Sequence, residues 1–600
     1  MAIGDQLWLP AFGWSNSQQP QKALIMPCPL RTSPVRGRAI LLAILLAPMG
    51  WTHGADRPRT WPSERTTYRD EATGTEVWRL TTHPAVEIAT HRTKNCWSPD
   101  GALILFRSHR TGAHHLYVMD ADGSKITRID DLSGGTTYGV WSRSGREVIC
   151  TRHINGSGFA IHAIELSTFA SRRIAGPFEN KLGPLGISAD GRHILFTRFV
   201  PQPAGDKQDV VKTSRVNLDG SGLFTFGATT KHGHFSWIPG RMDLIRMKSS
   251  RQQYIAHPDG SGLRLLAEGG HEWFSPDGRE LLVCDPRGGD PAKWLGQCSV
   301  GIYDIETGRR RDLTSDLTWI GSHPSFSRDG RFVAIDNASR SYPGAILIVP
   351  SDGSGGLRVL CYHHASWESG HITHPTLHWS PDGTKIVFVS DKDSADKKKG
   401  DLYLAVVKQP AAPLNVQVQN KEDLAVVTWQ PPSEHSETKE YVVLRSVPSP
   451  RSDRQGRKPD RTGVFEPVGT VPVVSTQLVG EPIDDEVTQL SVHSTTGFPD
   501  SGVLKIAGNH SMAAPERVRY TGKTATSFLN CTRGASQTKP AAHWDGARVW
   551  SVNAQRFTQK IPPTGRQYYY VVRAREHSGL ESPYSRISNP AFVKPVESSN

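Results

Sequence analysis

Three observations predict an all-β chain built around a repeating sheet unit. A short turn motif recurs seven times, its spacing suits a four-stranded unit, and the segments between turns alternate as strands do. The turns are anchored at Trp97, Trp141, Ile187, Trp237, Phe274, Phe326 and Trp379, and they read WSPDG, WSRSG, ISADG, WIPGR, FSPDG, FSRDG and WSPDG. Successive anchors lie 44, 46, 50, 37, 52 and 53 residues apart. Self-similarity at roughly 40–50 residues signals one four-stranded blade per repeat, and hence a seven-bladed β-propeller. Within the turn, Pro fixes a backbone angle, Asp caps, and Gly accepts a positive φ.

Each unit continues in the same way. An apolar strand follows the turn, as in ALILFRS (102–108), RHILFTR (192–198) and KIVFVSD (385–391). A second strand then ends in a glycine turn, as in HLYVMDADG (115–123), SVGIYDIETG (299–308) and AILIVPSDG (345–353). These are strand and hairpin signals, and no helical periodicity competes with them. The end units complement each other. Residues 67–81 (TYRDEATGTEVWRLT) form an outer half-blade, and the last unit stops at LYLAVV (402–407) without its outermost strand. Pairing the two closes the ring and removes an open sheet edge. The propeller is therefore expected over residues 58–408.

Six hundred residues exceed one core, so further domains are expected. At the N-terminus, Arg31, Arg36 and Arg38 precede the apolar run AILLAILLA (39–47), with small residues up to Ala55. Residues 1–55 read as a secretory signal cleaved near Ala55, and a start at Met26 would give it a conventional length. The run is too short to span a bilayer. A secreted or periplasmic protein with no membrane span after signal removal follows. The formal charge of +12 favours an anionic partner. An exported chain without a basic-aromatic motif does not suit nucleic acid, so an acidic oligosaccharide or polysaccharide is the better match. Cys284 and Cys298 flank a hairpin and read equally as a disulfide or as two separate thiols.

KQPAAP (408–413) is a linker by composition. Beyond it, LNVQVQNKEDLAVVTWQPP (414–432), EYVVLRS (440–446) and YYYVVRAREHSGLESPYS (568–585) resemble a fibronectin type III sandwich, with Trp429 and the Tyr568–Tyr570 run at its core positions. That sandwich is expected over 409–600. Residues 486–552 interrupt it and resemble a small β-module of phage-fibre and surface proteins, suited to adhesion or spacing.

Chemistry concentrates three residues before each anchor, at Lys94, Tyr138, Pro184, His234, His271, His323 and Thr376. Three consecutive units place His there. The last unit adds His371 and His374, and the first adds His91. The segment ahead of each innermost strand lies near the mouth of the central channel, so these positions converge. One such His alone reads as a core residue with a hydrogen-bonding partner. Several together suit a divalent metal, and a neutral imidazole serves as a general base. No G-x-S-x-G elbow or paired-carboxylate signature supports a hydrolase.

The stretches DEATGTEVWRLT (70–81), GHFSW (233–237), GHEWFSPDG (270–278), SHPSFSRDG (322–330) and HITHPTLHWSPDG (371–383) resemble the oligogalacturonate lyases, which are secreted or periplasmic seven-bladed propellers. The SPDG turns are shared with TolB-type propellers, whereas the GHE and HP contexts are more specific. The resemblance implies that His271 is the Brønsted base and that His323 binds manganese. It aligns the family's Gln-x-x-His-x-His ligands with His371, His374 and Thr376. This sequence departs at two of them, with His371 for Gln and Thr376 for His, and His378 falls on the same strand face as Thr376. The implied reaction is β-elimination at a 4-linked uronate, with His234, Arg92 and Lys94 binding substrate. The competing reading is a non-catalytic TolB-like propeller that binds a protein or glycan at the cell surface.

Overall fold

The computed structural model describes residues 60–592 outside several stretches, among them 90–94, 201–209, 230–233, 287–297, 315–322, 338–343, 369–371, 447–464 and 508–515. The expected signal segment lies outside the described residues. So do His91, Arg92, Lys94 and His371, together with the side chain of His234.

The recurring turn is satisfied by its own atoms. Ser98 Oγ donates to Asp100 Oδ1 at 2.6 Å and accepts the Leu103 N–H at 2.9 Å. The same pair of bonds is made by Ser275 with Asp277 and Glu280, by Ser327 with Asp329 and Phe332, and by Ser380 with Asp382 and Lys385. At Gly278 the turn also meets the neighbouring unit: φ is +67°, and a Cβ there would lie 2.0 Å from the Pro239 carbonyl oxygen. Only glycine fits.

Between residues 60 and 406 the described strands form seven antiparallel sheets of four or five strands. The ring closes through the N-terminal segment. Strand Glu76–Arg79 pairs with Asp401–Val406, placing Val77 opposite Ala405 and Arg79 opposite Tyr403, and Thr66–Arg69 adds a further strand. This is the pairing that the two incomplete end units call for. Neighbouring sheets are tied by the anchor indoles. Trp141 Nε1 donates to the Cys96 carbonyl at 2.9 Å, Trp379 Nε1 to that of Ser325 at 3.2 Å, and Trp97 Nε1 to that of His378 at 3.1 Å across the closure. Each of these three indoles packs its apolar ring while satisfying its N–H, which suits Trp to the position; the buried Nε1 of the fourth anchor indole, Trp237, makes no such bond among the described residues. Cys284 stands opposite Val300, and Cys298 opposite Pro286, so the two are not cross-strand neighbours.

In the C-terminal part, Leu414–Lys421, Leu424–Gln430 and Gln555–Lys560 form one three-stranded sheet. Phe465–Pro472, Thr438–Ser446 and Tyr570–Glu576 form another. They share a core of Trp429, Tyr441, Tyr570 and Val443. The chain between Pro472 and Gln555 makes two further sheets around a separate core that includes Leu490, Leu504, Tyr520 and Phe528. Glu516 is buried there. It accepts from His543 Nε2 at 2.9 Å, Arg533 Nε at 2.7 Å and the Gly534 N–H at 2.9 Å. Burial raises its pKa, but the bonds from His543 and Arg533 more than offset this and take it down to about 2.

The inserted region and the sandwich both meet the turn end of the sheets. Gln477 Nε2 of the inserted region donates to the Ser144 carbonyl at 2.6 Å, and Lys385 Nζ pairs with the buried carboxylate of Glu576 on the sandwich strand Tyr570–Glu576. Trp544 and Arg548 join Trp97, Trp141, Trp237 and Phe326 around a cavity of about 340 Å³. Among the described residues, no helix is long and apolar enough to cross a membrane.

Candidate active site

At the opposite end of the innermost strands the structure brings three histidines together. The ring centroids of His271 and His323 are 4.3 Å apart, and those of His323 and His374 are 5.3 Å apart. They come from three successive sheets and lie at or just before Gly270–Phe274, Ser325–Phe326 and His378–Trp379. His271 reaches the cluster through a β-bulge. Gly270 pairs with Cys284 and Trp273 with Leu282, so one extra residue is accommodated between them. The His271 φ of +53° accompanies it. Bulges re-aim side chains beside functional sites, and a left-handed non-glycine costs roughly 1–3 kcal/mol.

The bulge separates His271 from its neighbour. Glu272 is buried and faces two cations, with Arg246 Nη1 at 2.7 Å and Lys248 Nζ at 2.9 Å. It therefore points away from the imidazole, as strand alternation suggests, and with Arg246 it borders the cavity lined by Trp97 and Trp544, while Lys248 lies opposite His234.

Asp336 organises the other two histidine segments. It is fully buried, accepts from His323 Nδ1 at 2.8 Å and from the His323 backbone N–H, and accepts the Thr376 N–H at 3.3 Å. Burial pushes its pKa up to about 7, against the opposing effects of the His323 N–H, His363 and His374. A carboxylate on Nδ1 fixes the ring and leaves Nε2 for chemistry, the arrangement common behind metal-binding imidazoles. Trp367 completes the cluster: its ring is parallel to His323 within 8° at 5.8 Å, and lies 4.7 Å from His374.

The structure thus assembles His271, His323 and His374. The backbone of His234 pairs with Lys248, so its strand borders the same mouth. Thr376 serves through its backbone, with φ +44° and its N–H on Asp336. His378 does not join the cluster. It is fully buried, burial drives its pKa down to about 4, and its ring faces Trp273 at 6.4 Å. Sequence reasoning did not single out Asp336, Trp367, Arg246 or Lys248. For Asp336 a signal existed, an acid inside the apolar run FVAIDN (332–337). For the two cations it was their alternation in IRMKS (245–249).

Among the described residues, no group of three or more His, Cys, Asp or Glu side chains is arranged to hold a metal ion. The separation of the described pair is compatible with one. Two imidazoles bound to one ion through nitrogens at ~2.1 Å would place their ring centres roughly 5 Å apart, and His323 and His374 are separated by 5.3 Å.

No protein-family model matches the chain. Over 394 residues it is 24% identical to the oligogalacturonate lyase of Dickeya dadantii (strain 3937), a match covering 57% of this chain and 95% of the relative. It is 23% identical to the oligogalacturonide lyase of Pectobacterium atrosepticum, with the same shares covered. Among solved structures, an oligogalacturonate lyase in complex with manganese aligns with a TM-score of 0.50 at 21% identity, over 58% of this chain and 97% of the other. An oligogalacturonate lyase from Vibrio parahaemolyticus aligns with a TM-score of 0.50 at 17% identity, over 58% and 98%. In fold, the chain carries an oligogalacturonate-lyase-like β-propeller, followed by β-structure of its own.

Proposed function

We propose that the protein is an exported lyase that cleaves 4-linked uronate oligosaccharides by β-elimination, with His271 as base. The observation that carries this reading is the meeting of His271, His323 and His374 at one channel mouth. The neutral His271 imidazole takes the proton α to the uronate carboxylate. The electrons of that C–H bond form the C4–C5 double bond, and the C4–oxygen bond breaks with its electron pair going to the oxygen, which takes a proton from water as the neighbouring sugar leaves. Charge builds on the carboxylate as the proton leaves, so catalysis depends on positive groups placed against it. Arg246 and Lys248, which pair with the Glu272 carboxylate next to His271 in the chain, are proposed to supply part of that positive charge. Arg92, Lys94 and His234 are proposed to bind the substrate's carboxylates. His323 and His374, with His371, are the residues that would hold a divalent cation, manganese by analogy with the lyase that contains it. When bound, such an ion withdraws electron density from the substrate carboxylate. Asp336 holds the His323 ring in the required orientation.

The organisation that goes with this reading is a signal over 1–55, a propeller over 58–408, and a fibronectin type III-like sandwich over 409–600 that carries the module at 486–552. Secretion or periplasmic export would bring the basic surface to acidic glycans. The test is incubation of purified protein and manganese with a panel of acidic oligosaccharides. The expected result is an unsaturated product absorbing in the ultraviolet. Absence of that product with every substrate would return the chain to the class of non-catalytic, glycan- or protein-binding propellers.

A further inference from the structure

Among the described residues the mouth carries a large side chain for which the elimination has no use. Trp367 lies on the segment joining strand Arg358–Tyr362 to His374. It is half-buried, parallel to His323, and in contact with the His374 ring. Its φ is +65°, and that of His364 is +52°. A bulky residue in the left-handed region is a strained exception, tolerated only where the surroundings impose it. Here they do. The buried carboxylate of Asp391 accepts the Ser366 N–H at 2.8 Å and the Ser366 hydroxyl at 2.5 Å. The Ala365 N–H donates to the Nδ1 of fully buried His363 at 3.0 Å. A ring that merely filled space could do so from an unstrained backbone. This segment instead fixes one partly exposed indole against the two histidines at the mouth.

Resting on the lyase reading, we propose that Trp367 is the stacking platform for a sugar ring of the substrate, next to the uronate whose proton His271 removes. One face of a pyranose presents C–H groups of slight positive charge, and the electron-rich face of an indole complements them. The carboxylate of a uronate projects from the ring edge. A sugar lying flat on Trp367 therefore keeps that group free to meet the cations around the mouth. Stacking also reads which hydroxyls are axial, since an axial oxygen lifts the ring from the platform. Trp367 would thus select the sugar as well as hold it.

The test uses full-length protein carrying His271→Ala, so that binding is measured without turnover. It is titrated calorimetrically with tri-α-1,4-galacturonate and manganese, alone and with Trp367→Ala or Trp367→Phe added. Trp367→Ala should weaken binding about tenfold, whereas Trp367→Phe should retain most of it. Manganese content should not change, and both variants should remain folded, with the thermal midpoint of Trp367→Ala lowered by a few degrees for the lost ring packing. In the otherwise wild-type enzyme, Trp367→Ala should raise KM by a similar factor and leave kcat nearly unchanged. Unchanged binding in Trp367→Ala overturns the platform. So does loss of manganese or of folding in both variants, which would make Trp367 part of the histidine packing. Protein that binds the trimer but forms no unsaturated product refutes the elimination while the titration still decides the platform. Protein that neither binds nor cleaves refutes both.

Discussion

The short strand Gly270–Phe274 ends in two different kinds of structure. Beyond Phe274, the turn Ser275–Gly278 is closed by atoms within six residues of one another: Ser275 Oγ to Asp277, and the Glu280 and Arg279 N–H groups back onto the turn. At the other end, His271 sits in a bulge with a left-handed backbone, Glu272 pairs with cations from the preceding sheet, and the neighbouring His323 is held by Asp336 thirteen positions away. One end is satisfied locally and is repeated round the ring. The other is satisfied only by partners that the ring itself assembles. Along this strand, backbone strain, buried charge and a carboxyl raised to about 7 occur at the second end, where function is expected to concentrate them; elsewhere in the ring the turn end holds a buried pair of its own, Lys385 with Glu576 of the sandwich.

The sharpest test of this contrast is His271→Ala. Removing a general base should cost about 10²–10⁴ in product formation, with little change in thermal midpoint. A large fall in stability instead would make His271 a packing residue and break the comparison. Asp336→Asn comes next. Loss of a partner behind an imidazole ligand costs about 10–100-fold in metal affinity, and calorimetric titration with manganese should show it. The variant should also lose stability, because the carboxylate joins two segments through the His323 and Thr376 N–H groups.

At the turn end the expected effects are on stability alone. Gly278→Ala combines a φ of +67° with a Cβ placed 2.0 Å from the Pro239 oxygen. It should cost more than ~2 kcal/mol, seen as a lower midpoint in denaturant, with kcat per folded molecule unchanged.

The sequence was legible in proportion to how local each interaction is. The seven turns could be read because Ser, Asp and Gly act on their own neighbours, and ring closure could be read because two half-units were each incomplete. His271 and His323 could be read because a repeat register converts sequence position into place around a channel, and His374 because it lies two residues ahead of that register position in the last unit. Asp336 and Trp367 escaped for the opposite reason. Neither stands at the repeat position, and each acquires its meaning from a ring on another segment. His378 shared a strand face with Thr376, yet the strand carries it deeper, to Trp273 rather than to the mouth.

The inserted region supplies a control away from both ends. The Glu516 carboxyl is at about 2 in the fold, against 4.5 when free. A depressed folded value means that its contribution to stability is complete above pH 4.5 and is lost as pH falls from there towards 2. Wild-type protein should show a falling midpoint over that window. Glu516→Gln should start lower at pH 6 and fall less steeply. An identical slope in both would place the acid sensitivity elsewhere, with carboxylates of the propeller as the next candidates.

The smallest effect is expected from Asp277→Ala, six residues from His271 along the same chain. Asp277 Oδ1 accepts from Ser275 Oγ at 2.7 Å and from the Arg279 N–H at 3.0 Å, and its other partner, Arg279, is an exposed cation 3.8 Å away. Exposed ion pairs contribute little, so the loss is that of a side-chain cap, about 1 kcal/mol. Gly278 retains its left-handed backbone, and Ser275 Oγ retains the Glu280 N–H, so the turn should keep its shape. A fall of a few degrees in thermal midpoint is the expected result, with KM and kcat on an acidic oligosaccharide unchanged. A change in kcat would mean that the turn transmits its geometry through Trp273 and Phe274 to the bulge at His271. The two ends of the strand would then be coupled, and the division between a structural end and a chemical end would fail at the place where it is drawn most narrowly.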